Sequence, residues 1–177
     1  MAMNDEQMKI TEYGMEVTLF GAQETIDFGH DLGLALAQRN SNEGLHCILL
    51  FGEMGTGKTT LTRGLISALP GGEDSEVSSP SFTLYNIYPT TPPVTHCDLY
   101  RSETDTLPDD VAELLDENCG LVLIEWAERI GSAELPPKRL DICFRTCQNN
   151  RLVRLKPRGD AACSVLQELL RLRSYPR

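Results

Sequence analysis

Apolar positions along this chain switch repeatedly between three spacings, and the switches predict its elements. Residues 16–20 (Glu-Val-Thr-Leu-Phe) alternate with the period of two of a half-buried strand. From 23 to 38, Ile26, Leu32, Leu36 and Ala37 fall at helical spacing, and residues 40–44 interrupt that helix. Cys47-Ile48-Leu49-Leu50-Phe51 is continuously apolar, as in a parallel-sheet strand buried on both faces. Leu61, Leu65, Ile66 and Leu69 then recur at helical spacing until Pro70-Gly71-Gly72. Residues 83–88 and 94–99, joined by a turn over 89–93, predict a hairpin. Pro108-Asp109-Asp110 opens a helix with Val111, Leu114 and Leu115 that ends near Cys119-Gly120. A second apolar strand follows at 121–124, a second hairpin at 139–146 and 151–156 across Gln148-Asn149-Asn150, and a closing helix at 165–172. Residues 1–14 show no such pattern and predict a loose leader ahead of one domain spanning 15–177. The chain has no internal repeat and no low-complexity segment.

Between the first buried strand and its helix stands Gly52-Glu53-Met54-Gly55-Thr56-Gly57-Lys58-Thr59, which fits G-x-x-x-x-G-K-[ST] at every fixed position. That pattern, Walker A, describes a phosphate-wrapping loop, and a strand before it with a helix after it is the required context. The glycines allow positive φ and let amides approach phosphate oxygens. Lys58 supplies a point charge for the β and γ phosphates, Thr59 a hydroxyl for Mg²⁺, and the helix its positive N-terminal end. A dinucleotide-binding G-x-G-x-x-G is excluded, because Thr60 stands where the third glycine should be.

Two acids follow at predicted strand ends. Leu121-Val122-Leu123-Ile124-Glu125 has the Walker B form with Glu in place of the usual Asp, a carboxylate suited to binding Mg²⁺ or orienting the attacking water. Asp98 falls near the end of its strand, on the edge where open α/β sheets bind ligands, although an Asp there also serves as a cap or turn residue. Trp126 belongs either to the core or to that same edge. Val77-Ser78-Ser79-Pro80-Ser81-Phe82 is stiffened by its proline and fits either a plain connector or a loop presenting hydroxyls toward a γ-phosphate.

Composition narrows the setting. At 177 residues the chain buries roughly two thirds of its unfolded surface, so it needs no covalent staple. Six scattered cysteines without C-x-x-C pairs, several inside apolar runs, read as buried, reduced thiols, and the three histidines lack paired ligand spacing. Residues 1–9 contain no signal-peptide core and no run reaches the ~18 apolar residues of a membrane span, which places the chain in the cytoplasm by default. A net charge of −10 argues against holding nucleic acid directly. Residues 151–177, however, carry +5, with their basic C-terminal part at about 157–177, and the rest carries −15. That segment is either a contact for RNA or an acidic partner, or a solvated helix face.

Gly-Glu-Met-Gly-Thr-Gly-Lys-Thr-Thr (52–60), Ser-Pro-Ser-Phe-Thr-Leu (79–84), His-Cys-Asp-Leu-Tyr-Arg (96–101) and Ile-Glu-Trp (124–126) occur in this order, and over about residues 16–156 the chain resembles the bacterial TsaE family. The resemblance implies an α/β fold: a P-loop NTPase-like sheet with parallel core strands flanked by antiparallel strands and helices on both faces. It implies an ATPase, weak alone, that acts with the TsaD and TsaB subunits transferring threonylcarbamoyl to adenosine 37 of tRNA, and touches tRNA only through that complex. It implies that Glu53, Met54, Gly55, Thr56, Gly57, Lys58, Thr59, Thr60 and Ser81 hold ATP. Thr59, Asp98 and Glu125 are implied to hold Mg²⁺, and Glu125, Asp98 and Lys58 to carry catalysis. The chain departs from the family's Ser-Pro-Thr-Phe at Ser81, and from its common Gly-Asp-Leu-Gly-Ala at residues 52–56.

Two other classes stay open on the residues alone. A small-molecule kinase shares the loop but normally adds an arginine-bearing lid, and only Arg63 and Arg101 lie between Lys58 and Glu125. A non-catalytic, nucleotide-gated binding module needs the loop but not both acids. A GTPase is disfavoured by the lack of Asn-Lys-x-Asp and of Asp-x-x-Gly after the second or third strand. ATP over GTP follows from the resemblance.

Overall fold

Strict alternation of side chains across one sheet divides the apolar residues between two cores. The computed structural model describes residues 8–11, 14–38, 44–103, 105–148 and 150–174. Its strands are β1 (Met8–Thr11), β2 (Gly14–Leu19), β3 (Cys47–Phe51), β4 (Tyr85–Tyr88), β5 (Val94–Asp98), β6 (Leu121–Glu125), β7 (Arg139–Cys147) and β8 (Asn150–Arg158). Its helices are α1 (Ala22–Ala37), α2 (Lys58–Ser67), α3 (Asp109–Glu117) and α4 (Asp160–Ser174). The strands form a single sheet in the order β1-β2-β8-β7-β3-β6-β5-β4. β7, β3, β6 and β5 are parallel, and antiparallel pairs flank them on both sides.

Ile48 and Leu50 of β3, with Leu121 and Leu123 of β6, face a core shared with α1, α2 and α4. Cys47, Leu49, Val122 and Ile124 face the opposite core, where α3 contributes Val111. Each fully buried aliphatic side chain contributes about 1.5–3 kcal/mol, so a one-residue slip of either strand would forfeit both cores. The helices therefore cover both faces, as expected. α1 and α2 approach so closely that a Cβ on Gly64 would lie 2.0 Å from the Ile26 carbonyl oxygen.

Several expectations need correction. Residues 8–11, expected within the loose leader, pair as edge strand β1, with Met8 opposite Val17; residues 1–7 lie outside the described residues. The helix break expected at 40–44 also falls there, apart from Gly44. β4 begins at Tyr85 rather than 83, because Leu84 is in the left-handed region at φ 70° and turns the chain first. Apart from these corrections, residues of the basic C-terminal end pack against the rest of the chain. Arg154 pairs with Glu16 and Arg158 with Asp141, while α4 buries Ala162, Val165, Leu166 and Leu169. Arg173 pairs with Asp31 and lies over the Phe28 ring. Arg177 is outside the described residues.

All six cysteines are free, but only Cys47 and Cys97 are buried as expected; Cys143 is half-buried, and Cys119, Cys147 and Cys163 are exposed. Burial pushes the Cys47 and Cys97 thiols up to about 12, so both stay protonated and unreactive at neutral pH. No described helix is long and apolar enough to cross a membrane.

Filling the α1–α2 contact at Gly64→Ala should cost about 1–3 kcal/mol, the usual range for overpacking. At roughly 2–4 °C per kcal/mol for a chain of this size, Tm should fall by about 2–12 °C. Calorimetry of the two proteins checks this, and an unchanged Tm would show that the helices are free to separate.

Candidate active site

β3 delivers the chain to its carboxyl edge at Phe51, and the glycine-rich loop turns it back into α2. Gly52, Gly55 and Gly57 all have positive φ, at 136°, 77° and 109°. At Gly57, the N-cap of α2, a side chain would be both strained and crowded, since a Cβ would meet the Arg151 Nε at 3.0 Å. Lys58, Thr59 and Thr60 form the first helical turn, whose amides have no intrahelical acceptor and point at the loop's mouth.

Lys58 is nearly buried, at 4% exposure. Its Nζ donates to the carbonyls of Gly52 at 2.6 Å and Glu53 at 3.0 Å, and sits 4.2 Å from the centre of the Trp126 ring. Burial lowers its pKa from the usual 10.5, and the nearby carboxylates of Glu125, Glu128 and Asp98 oppose that fall.

Period-two alternation carries His96, Asp98 and Glu125 onto the α2 face of the sheet, and the register sets Asp98 beside Glu125. Thr59 Oγ1 donates to Glu125 Oε1 at 2.8 Å. His96 Nε2 meets that same oxygen at 2.9 Å. Asp98 is held at both oxygens: Ser79 Oγ donates to Oδ2, and the Tyr100 amide donates to Oδ1 at 2.8 Å. Thr59, Ser79, Asp98, Tyr100 and Glu125 line a cleft of about 290 Å³, at the small end of ligand sites, while His96 is fully buried behind Glu125. Met54, Gly55, Thr60, Ser81, Arg101 and Trp126 also line it. Glu53 and Thr56 act inside the loop instead, with Thr56 Oγ1 donating to the Glu53 carbonyl at 2.8 Å.

Oxygen donors of this kind suit magnesium. That ion takes one or two carboxylates plus substrate phosphates rather than an all-protein cage. Among the described residues no group of three or more His, Cys, Asp or Glu side chains is placed to hold a metal ion.

The sequence reading chose Ser81, whose side chain lines the cleft, but Ser79 is the hydroxyl bonded to Asp98. It also missed His96, although the residue's period-two spacing from Asp98 was a usable signal. Arg151 carried no signal: it comes from β8, and its Nε donates to the Thr56 carbonyl at 3.1 Å, which ties the far hairpin to the loop. Trp126 lines the cleft and also packs, half-buried, against the core on the α3 face; it is in the left-handed region at φ 60° with its ring 4.9 Å from that of Tyr100. Such backbone strain gathers at functional sites.

A family model described as threonylcarbamoyl adenosine biosynthesis protein TsaE matches residues 20–153. The tRNA threonylcarbamoyladenosine biosynthesis protein TsaE of Aquifex aeolicus is 36% identical over 116 residues, covering 64% of this chain and 77% of that one. Its counterpart in Treponema pallidum is 33% identical over 125 residues, covering 70% and 86%. The crystal structure of YdiB from Bacillus subtilis superposes with a TM-score of 0.67 at 26% identity, covering 89% of this chain and 94% of that one. The two share the P-loop fold, with its parallel core and antiparallel flanks.

The lowered Lys58 pKa fixes the sign of a pH effect. Between that pKa and 10.5 the unfolded chain holds a proton that the folded one has released, so stability attributable to Lys58 rises with pH there. The unfolding free energy of the parent relative to Lys58→Met should therefore climb as pH approaches 10.5. Parallel denaturation curves at pH 7 to 10.5 test it, and a pH-independent difference would contradict it.

Proposed function

The chain belongs to the TsaE family of tRNA threonylcarbamoyladenosine biosynthesis, and from that premise we propose that it is a cytoplasmic, Mg²⁺-dependent ATPase. It hydrolyses ATP weakly alone and faster with the TsaD and TsaB subunits, supporting their modification of adenosine 37 of tRNA. The observation that carries the proposal is the 2.8 Å bond from Thr59 to Glu125. It links the hydroxyl after the phosphate-loop lysine to a strand-end carboxylate, the pairing a metal-assisted phosphoryl site needs.

In this function the amides of residues 58–60 and the Lys58 ammonium take up the charge of the phosphates. Magnesium, when bound, would supply positive charge against the phosphate oxygens. Thr59 and Glu125 would hold it, with Asp98 completing the acidic side of the cleft. Asp98, fixed by Ser79 and the Tyr100 amide, orients the attacking water. Water adds to the γ-phosphorus in line, the bond from that phosphorus to the bridging oxygen breaks, and ADP leaves with its electron pair.

Of the two arginines available to a kinase lid, only Arg101 lines the cleft. Arg63 donates to the Val77 carbonyl at 3.3 Å, and Arg101 lies 4.5 Å over the Phe82 ring.

Lys58→Ala should weaken nucleotide binding by at least about 100-fold. Glu125→Ala should lower Mg²⁺-dependent hydrolysis roughly 10²–10³-fold, the usual scale for removing one such group. Trp126, the chain's single tryptophan, reports binding, and phosphate release in the reconstituted TsaD–TsaB–tRNA mixture reports turnover. Full hydrolysis by Glu125→Ala, or labelled phosphate on a nucleoside acceptor instead of free in solution, would sink the proposal. No phosphate release with or without partners would leave a nucleotide-gated binding module in its place.

A further inference from the structure

His96 is fully buried in β5, and its only polar contact among the described residues is with Glu125. A core position needs no imidazole, because an aliphatic side chain fills such space without a polar atom to satisfy. Here Nδ1 is buried and unpartnered, so whatever keeps the ring polar acts at Nε2.

Donor and acceptor counting gives that contact a direction. An ionised carboxylate only accepts hydrogen bonds, so both groups at Glu125 Oε1 donate to it. Thr59 Oγ1 approaches at 2.8 Å from α2 and His96 Nε2 at 2.9 Å from β5. Two donors from different elements converge on Oε1 and, with the β6 backbone, fix the position of that oxygen. Glu125 Oε2 accepts no hydrogen bond among the described residues, and Glu125 lines the cleft. The Thr59 proton, committed to Oε1, leaves that hydroxyl's lone pairs for a cation.

We propose that His96 is a positioning residue that pins Glu125 through Oε1, so that Oε2 and the Thr59 lone pairs are presented together to the metal of the bound nucleotide. The role assumes the magnesium-dependent ATP site proposed above. It requires donation at Nε2 but no aromatic ring, which separates it from a packing role. Groups that hold metal ligands from behind typically change metal affinity or activity by 10–100-fold when removed.

His96→Leu keeps the volume and loses the donor, whereas His96→Gln keeps an N–H that reaches where Nε2 stood. Binding of a non-hydrolysable ATP analogue is followed through Trp126 fluorescence, once in EDTA and once in Mg²⁺, alongside kcat, KM and Tm. The Leu variant should bind the analogue in EDTA within about 2-fold of the parent. It should lose the Mg²⁺-dependent gain in affinity and kcat by about 10–100-fold, and the Gln variant should recover most of both.

A Leu variant that matches the parent in Mg²⁺ overturns the role. So does a pair of variants that lose binding equally in EDTA and in Mg²⁺, since that pattern marks packing. If the Leu variant does not fold, the Gln variant decides: a parent-like metal response supports the role and its loss overturns it. A parent chain that binds no analogue in either condition would instead remove the ATP site itself.

Discussion

A nearly dry carboxylate at the end of β6 joins the elements that frame the cleft. Glu125 is only 2% exposed, and a buried charge is costly unless hydrogen bonds replace its water. Its two donors come from α2 and β5, so both bonds form only when the sheet register, the strand order and the start of the helix agree. A slip of one residue would turn the acid into the opposite apolar core, where no donor waits. The apolar alternation of β3 and β6 and the satisfaction of Glu125 therefore select the same register.

The loop beside it is held by neutral and aromatic partners as much as by charge. Carbonyls of Gly52 and Glu53 fix the ammonium of Lys58, the Trp126 ring covers it, and Arg151 anchors the Thr56 carbonyl from across the sheet. Under the proposed function, groups fixed in this way would need little reorganisation when charge develops at the phosphates. The left-handed backbones of Leu84 and Trp126 are local costs that the surrounding contacts offset.

Charge on the C-terminal segment serves the fold. Arg154, Arg158, Arg171 and Arg173 find carboxylates at Glu16, Asp141, Glu168 and Asp31. Three of these pairs tie the basic end to the acidic body, and the fourth lies within the end itself. Exposed pairs such as Arg171 with Glu168 contribute little to stability, whereas the half-hidden clasp of Arg173 on Asp31 and Phe28 holds α4 against α1.

Local pattern alone determined the phosphate loop, the buried strands at 47–51 and 121–125, most helix positions and the two acids, because these depend on neighbours within one turn or one strand. Tertiary structure decided that residues 8–11 pair as an edge strand, that Ser79 holds Asp98, that His96 faces Glu125, and that Arg151 reaches the loop from 95 residues away. Those contacts join segments far apart in the chain, and hydrophobic spacing, which reports only which face of an element is dry, carries no information about which distant side chain will meet it there.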